Sequence, residues 1–94
     1  MTKIMMDINP LLRTIMFDCQ SHADDHDACT IVSTLTNVLV EAAIRAKSCP
    51  TAYGKGHVRL DISGADDKTI YLFETVLEVM KQAADQQPDY IRIY

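Results

Sequence analysis

RTIMFDCQSHADDHDACTIVSTLTNVLVEAAIRAK, Arg13 to Lys47, changes its hydrophobic period twice. Ile15, Phe17 and Cys19 alternate along one face, which is the period of a half-buried strand. Gln20 to Asp27 is then polar apart from Ala23, with three aspartates and two histidines in eight residues, and reads as a loop. From Ala28 to about Lys47 the apolar positions Ile31, Leu35, Val38, Leu39, Ala42 and Ala46 recur at helical spacing. Asp27 is a suitable N-cap, and cap and period together outweigh the β-branched residues that weaken helix propensity. The segment is therefore strand, loop, helix.

Upstream, Lys3 to Met6 is a short apolar run punctuated by Asn9-Pro10, so it pairs with Arg13 to Cys19 as a hairpin or two adjacent strands. Leu11 and Leu12 fall between them as an exposed apolar spot suited to a dimer contact. Downstream, Pro50 and Gly54-Lys55-Gly56 make a linker and turn. His57 to Ile62 reads as a strand, with Val58, Leu60 and Ile62 inward and His57, Arg59 and Asp61 toward water. Ser63 to Asp67 supplies caps for a helix from about Asp66 to Gln86, whose buried face carries Ile70, Phe73, Leu77, Met80 and Ala84. Pro88 stops it, and Tyr90 to Tyr94 alternates as a last strand.

This order predicts an α+β fold in two layers, a mixed β-sheet packed with two α-helices. Leu35, Val38, Leu39, Leu60, Ile62, Phe73, Leu77 and Ile91 are its expected core. The 94 residues fit a single domain, 1–94, and 48% hydrophobic with 23% charged residues is an ordinary globular composition. A net charge of −4 argues against direct nucleic-acid binding or attraction to an anionic membrane. Arg45, Lys47, Lys55 and Arg59, with His57, read as a solvated surface. No apolar run reaches the ~20 residues of a membrane span, and Met1 to Asp7 has no signal-peptide pattern. A cytoplasmic location follows, where Cys19, Cys29 and Cys49 are expected to be reduced.

The reactive side chains concentrate in Ser21-His22-Ala23-Asp24-Asp25-His26-Asp27-Ala28-Cys29. With Asp27 as cap, Cys29 takes the second helical position, where free backbone N–H groups and the helix dipole favour a thiolate. His22 and His26 are both within sequence reach to accept its proton. His22, across the loop, is better placed to approach the sulfur. The aspartates would raise the thiol pKa if they lie beside it, although one could instead orient a histidine. A small packed hydrophobe is the structural reading of the same cysteine. His22, His26 and Cys29 also contain zinc-ligand chemistry, but no fourth ligand is evident, so neither metal nor cofactor is expected. Cys19, on the apolar strand face, and Cys49, after a helix end, read as structural or incidental, and His57 as a solvated edge residue.

Ser21-His22-Ala23, the aspartate-bearing loop and Cys29-Thr30-Ile31-Val32-Ser33 resemble the signature of the ribosomal-processing cysteine proteases. Leu72 to Tyr90, with Leu77, the alanines and Gln87-Pro88-Asp89-Tyr90-Ile91, is similar to the final helix and ending of that family. The resemblance implies a dyad of His22 as base and Cys29 as nucleophile, supported by Asp27 and by Ser33 one helical turn later. It implies an endopeptidase that removes the N-terminal extension of a large-subunit ribosomal protein, or a phage protein bearing a similar peptide, and a homodimer. Ser21 replaces the family's glycine, the loop to Cys29 is shorter and lacks glycine, and Asp27 stands two residues before the cysteine instead of three. These departures open a second reading, a non-catalytic homodimeric binding or assembly protein on the same fold.

Overall fold

The computed structural model describes residues 2–21, 26–46, 52–54 and 56–94, and of these the side chains of all but 21, 26–30 and 52–54. Along the chain come β1 (Thr2–Asn9), β2 (Thr14–Ser21), α1 (His26–Arg45), β3 (Ala52–Gly54), β4 (His57–Ser63), α2 (Asp67–Gln86) and β5 (Ile91–Ile93). The strands form one sheet in the order β3-β4-β2-β1-β5. β4, β1 and β5 run one way, β2 and β3 the other, so the sheet is mixed as expected.

Alternation decides the faces. Ile4 on β1, Ile15, Phe17 and Cys19 on β2, Leu60 and Ile62 on β4 and Ile91 on β5 are buried in one core with both helices. Lys3, Met5, Asp7, Gln20, Asp61 and Arg92 point the other way and are exposed. Phe17 and Phe73 are wholly buried, each contributing on the order of 2–3 kcal/mol of transfer free energy. β3 departs from the linker expected there: Ala52, Tyr53 and Gly54 pair antiparallel with Arg59, Val58 and His57. Three residues are too few to display a period. Gly56 ends the connection to β4 at φ 82°, a conformation glycine adopts without steric penalty.

Both helices form where expected; α1 is rotated about its axis relative to the predicted phase, while α2 buries Ile70, Phe73 and Met80 as predicted and differs only at its margin. In α1 the buried stripe is Val32, Thr36, Leu39, Val40 and Ala43. Leu35 and Ala42 are only partly buried, while Val38, expected in the core, is 41% exposed and Ile31 37%. Apolar residues stand at adjacent positions throughout this helix, so its sequence carries two stripes about 100° apart, and contact with the sheet selects one. In α2 the stripe is Ile70, Phe73, Val76, Met80 and Ala83, leaving Leu77 and Ala84 half-buried at its margin.

The helix ends and the hairpin tip interlock. Asp66 caps α2, its Oδ1 accepting from the Thr69 N–H at 2.8 Å, and this bond holds the Asp66 carboxyl below its ordinary pKa. Arg13, at φ 55°, donates from its guanidinium to Asp67 Oδ1 at 2.8 Å and to the Ala65 carbonyl at 3.2 Å. Asn9 Oδ1 accepts from the N–H groups of Leu11 and Leu12 at 3.1 and 3.0 Å. Both leucines are exposed, as the sequence predicts.

Candidate active site

β2 ends at Ser21, the residue before His22, and α1 begins at His26. His22 lies outside the described residues, as do Ala23, Asp24, Asp25 and Cys49. Cys29 is the fourth residue of α1. The helix thus starts one residue before the expected cap, which makes Asp27 its second residue instead of the N-cap. Cys29 closes the first turn, where the field of the helix end is weaker than at the second position expected for it.

Beyond Cys29, α1 runs back along the sheet past the end of β2 and the start of β4. Between them is a cavity of about 120 Å³ lined by Cys19, Val32, Ser33, Thr36, Asn37, Gly56, His57 and Val58. Register brings its walls together, because Cys19 pairs with Val58 and Gln20 with His57. Cys19, Val32 and Thr36 are buried and Ser33 and Asn37 exposed, so the cavity has a closed floor and an open rim. Ser33, expected to support Cys29 from one turn away, forms part of that rim.

Two groups on the floor are chemically distinct. The Cys19 thiol is pushed up to about 11 by burial, opposed by the neighbouring Thr36 hydroxyl and reinforced by Asp18, so it stays protonated at neutral pH. That is the structural cysteine the sequence predicts. Thr36 is only 6% exposed, and among the described residues its Oγ1 meets only the weakly bonding Cys19 thiol. A polar residue within an apolar run gave no reason to expect it inside. Its one available signal is a spacing of three residues from Ser33 and seven from Cys29, the repeat of a single helical stripe.

On the opposite face of the sheet, Asp18 Oδ1 accepts from His57 Nε2 at 3.0 Å, and Asp18 Oδ2 lies 3.4 Å from the Arg59 guanidinium. Arg59 also binds Asp61 at 2.9 Å, and that contact raises the guanidinium pKa further. His57 faces away from the core with its side chain 42% exposed, as expected, but β3 covers β4, so it is not an edge residue, and its imidazole is tied to a carboxylate only 14% exposed. Arg45 is likewise paired, with Glu41 at 3.3 Å. Among the described residues no three His, Cys, Asp or Glu side chains converge as metal ligands. The His22, His26 and Cys29 side chains, weighed for zinc from the sequence, lie outside those described. No helix among the described residues is long and apolar enough to cross a membrane.

No protein-family model and no curated protein matches the chain. Solved structures do. The essential ribosomal processing protease Prp from S. aureus, in complex with a substrate peptide, superposes with a TM-score of 0.80 at 19% identity, over 100% of this chain and 98% of that one. The same protease with a covalently linked product peptide gives 0.79 at 19% identity, over 99% and 97%. SMU.848 from Streptococcus mutans gives 0.76 at 21% identity, over 99% and 91%. The fold of the ribosomal processing protease is thus the fold of this chain along nearly its whole length.

Proposed function

We propose that the chain is a cysteine endopeptidase, built on one domain over 1–94, that removes an N-terminal peptide extension from a large-subunit ribosomal protein or a phage protein. The observation that carries this reading is the near full-length match to a protease crystallised with a substrate peptide and with a covalently linked product peptide. The segment His22 to Cys29 follows β2 and runs into the first turn of α1, and it holds the one cysteine that stands beside two histidines in sequence.

The chemistry needs a thiolate and a base. His22 takes the proton of Cys29, and the sulfur attacks the scissile carbonyl carbon, placing the electron pair on oxygen. Backbone N–H groups at the start of α1 stabilise that oxyanion. Collapse breaks the C–N bond, His22 returns the proton to the leaving amine, and the acyl group remains on sulfur as a thioester. Water, deprotonated by His22, then releases the acid and the free thiol. Asp27 orients the histidine and Ser33 supports the cysteine from the next turn. A homodimer working in the cytoplasm completes the proposal.

The shorter, glycine-free loop favours the second reading, a homodimeric binding or assembly protein without turnover. Alkylation separates the two. In the protease, Cys29 reacts with iodoacetamide much faster than Cys49 and with a midpoint well below the ~8.5 of a free thiol. A Cys29 midpoint at or above that value rejects the nucleophile.

A further inference from the structure

Two features that the protease reading leaves unused lie at one end of the molecule. The tip of the β1–β2 hairpin carries Leu11 and Leu12, 95% and 71% exposed, where turns ordinarily place glycine or short polar residues. The tip is held in place: Asn9 Oδ1 accepts from both leucine N–H groups, and Arg13 binds Asp67 and the Ala65 carbonyl. Two large apolar side chains are thus kept in water by a turn that has little freedom to fold them back. The second feature is a groove of about 530 Å³ between the helices, lined by Asn37, Val38, Glu41, Ala42 and Arg45 on α1 and Leu72 on α2. Its α1 wall belongs to the apolar stripe that the sheet does not select, Ile31, Leu35, Val38 and Ala42, which stays half-covered. Arg13 ties the tip to the first residue of α2, and Tyr71 and Leu72 follow about one turn later, which brings tip and groove to the same end.

We propose that the hairpin tip of one copy docks into the α1–α2 groove of a second copy, and that the same contact repeated about a two-fold axis closes the homodimer. The inference rests on the homodimer of the reading above and names its interface. Volume, chemistry and charge select this occupant. A benzene ring fills a cavity of roughly 150 Å³, so the side chains of two leucines, with one third more carbon, need roughly 200 Å³, and the groove holds both. Val38, Ala42 and Leu72 offer them an apolar lining. The tip is flanked by the Arg13–Asp67 ion pair and the groove by the Arg45–Glu41 pair, so each partner presents one acid and one base and no charge meets the interface without an opposite one. Each copy has one tip and one groove, and reciprocal exchange fills both at once, which is the self-complementarity that a closed two-fold pair requires. It also withdraws from water the apolar patch that a lone copy leaves exposed.

Sedimentation equilibrium of the full chain tests this. The parent is expected to be a dimer, and Leu11→Asp and Val38→Lys, both at exposed positions, to be monomers at a concentration where the parent is paired. The two-fold axis repeats every substitution, so a loss of about tenfold per contact weakens the pair by about a hundredfold. Urea midpoints equal to the parent's confirm that the variants fold, and Leu12→Asp replaces a tip variant that does not. Mixing separates docking of tip in groove from any other interface. The Leu11→Asp copy keeps its groove and the Val38→Lys copy keeps its tip, so an equimolar mixture regains the dimer through one intact contact and one in which opposite charges meet. A monomeric parent, variants that stay dimeric, a mixture that stays monomeric, or a parent mass that climbs past the dimer with concentration each overturns the interface. Cleavage of an extended ribosomal protein, read in parallel, keeps the two claims apart: cleavage without this interface spares the protease, and a tip-dependent dimer that cleaves nothing overturns the protease alone.

Discussion

Replacing Thr36 by valine should stabilise the protein. The residue is 6% exposed, and among the described residues its Oγ1 meets only the Cys19 thiol, a weak hydrogen-bond partner. A buried hydroxyl left unpaired costs about 1–3 kcal/mol. Valine keeps the branched shape and exchanges the hydroxyl for a methyl in contact with the core, while forfeiting only a weak interaction with the Cys19 thiol. A net gain of about 1 kcal/mol is the conservative expectation. In a chain of this size it raises Tm by roughly 4–8 °C. Urea unfolding of parent and variant should give the same slope, with the midpoint moved upward by about 0.5 M. A midpoint lowered by a similar amount would mean that the contact with the Cys19 thiol outweighs the desolvation of the hydroxyl, the opposite of the expected balance.

The helix phase is testable by a matched pair. Leu39→Ala should cost about 3 kcal/mol because Leu39 is fully buried, while Val38→Ala, on the 41% exposed side, stays within about 0.5 kcal/mol in the same urea assay. Asp66→Ala removes the cap of α2 and lowers stability at neutral pH. Because the folded-state pKa of Asp66 is depressed, its contribution is present above the unfolded value of about 3.9 and lost as pH falls through the lower folded value, so parent and variant melting curves converge in acid. Cys19 acts in the opposite direction. Its pKa rises on folding from the ordinary 9.0 to about 11, so its contribution is full below 9 and stability falls as pH climbs from 9 to 11, a slope that Cys19→Ala should reduce.

Strand faces were legible because a period of two admits only two phases. Ile15, Phe17 and Cys19, and Leu60 and Ile62, are all buried on the face their alternation selects. The helices were legible in extent and less so in rotation. Asp66 announced the start of α2 by its chemistry, whereas α1 presents apolar neighbours at 31–32, 38–40 and 42–44, and the sheet chooses among them. That choice turns Val38 outward and draws Thr36 inside. β3 was too short to signal itself and owes its place to pairing with β4. In the candidate site, residue chemistry singled out Cys29 and His22 but could not reveal the cavity between α1 and the β2–β4 pair. Its walls come from segments up to 39 residues apart, such as Cys19 and Val58, joined only by sheet register.

The central claim, that Cys29 cuts a peptide bond with His22 as its base, is tested most directly by incubating an N-terminally extended large-subunit ribosomal protein with the parent chain and its variants. Intact mass spectrometry reads loss of the extension. Cleavage is expected with the parent and with Cys49→Ala, and none with Cys29→Ala or His22→Ala. Cys29→Ala should remain folded, since alanine is the better helix former and the change is worth at most about 1 kcal/mol. Undiminished cutting by Cys29→Ala would contradict the mechanism, and no cutting by any form would leave the binding-protein reading in its place.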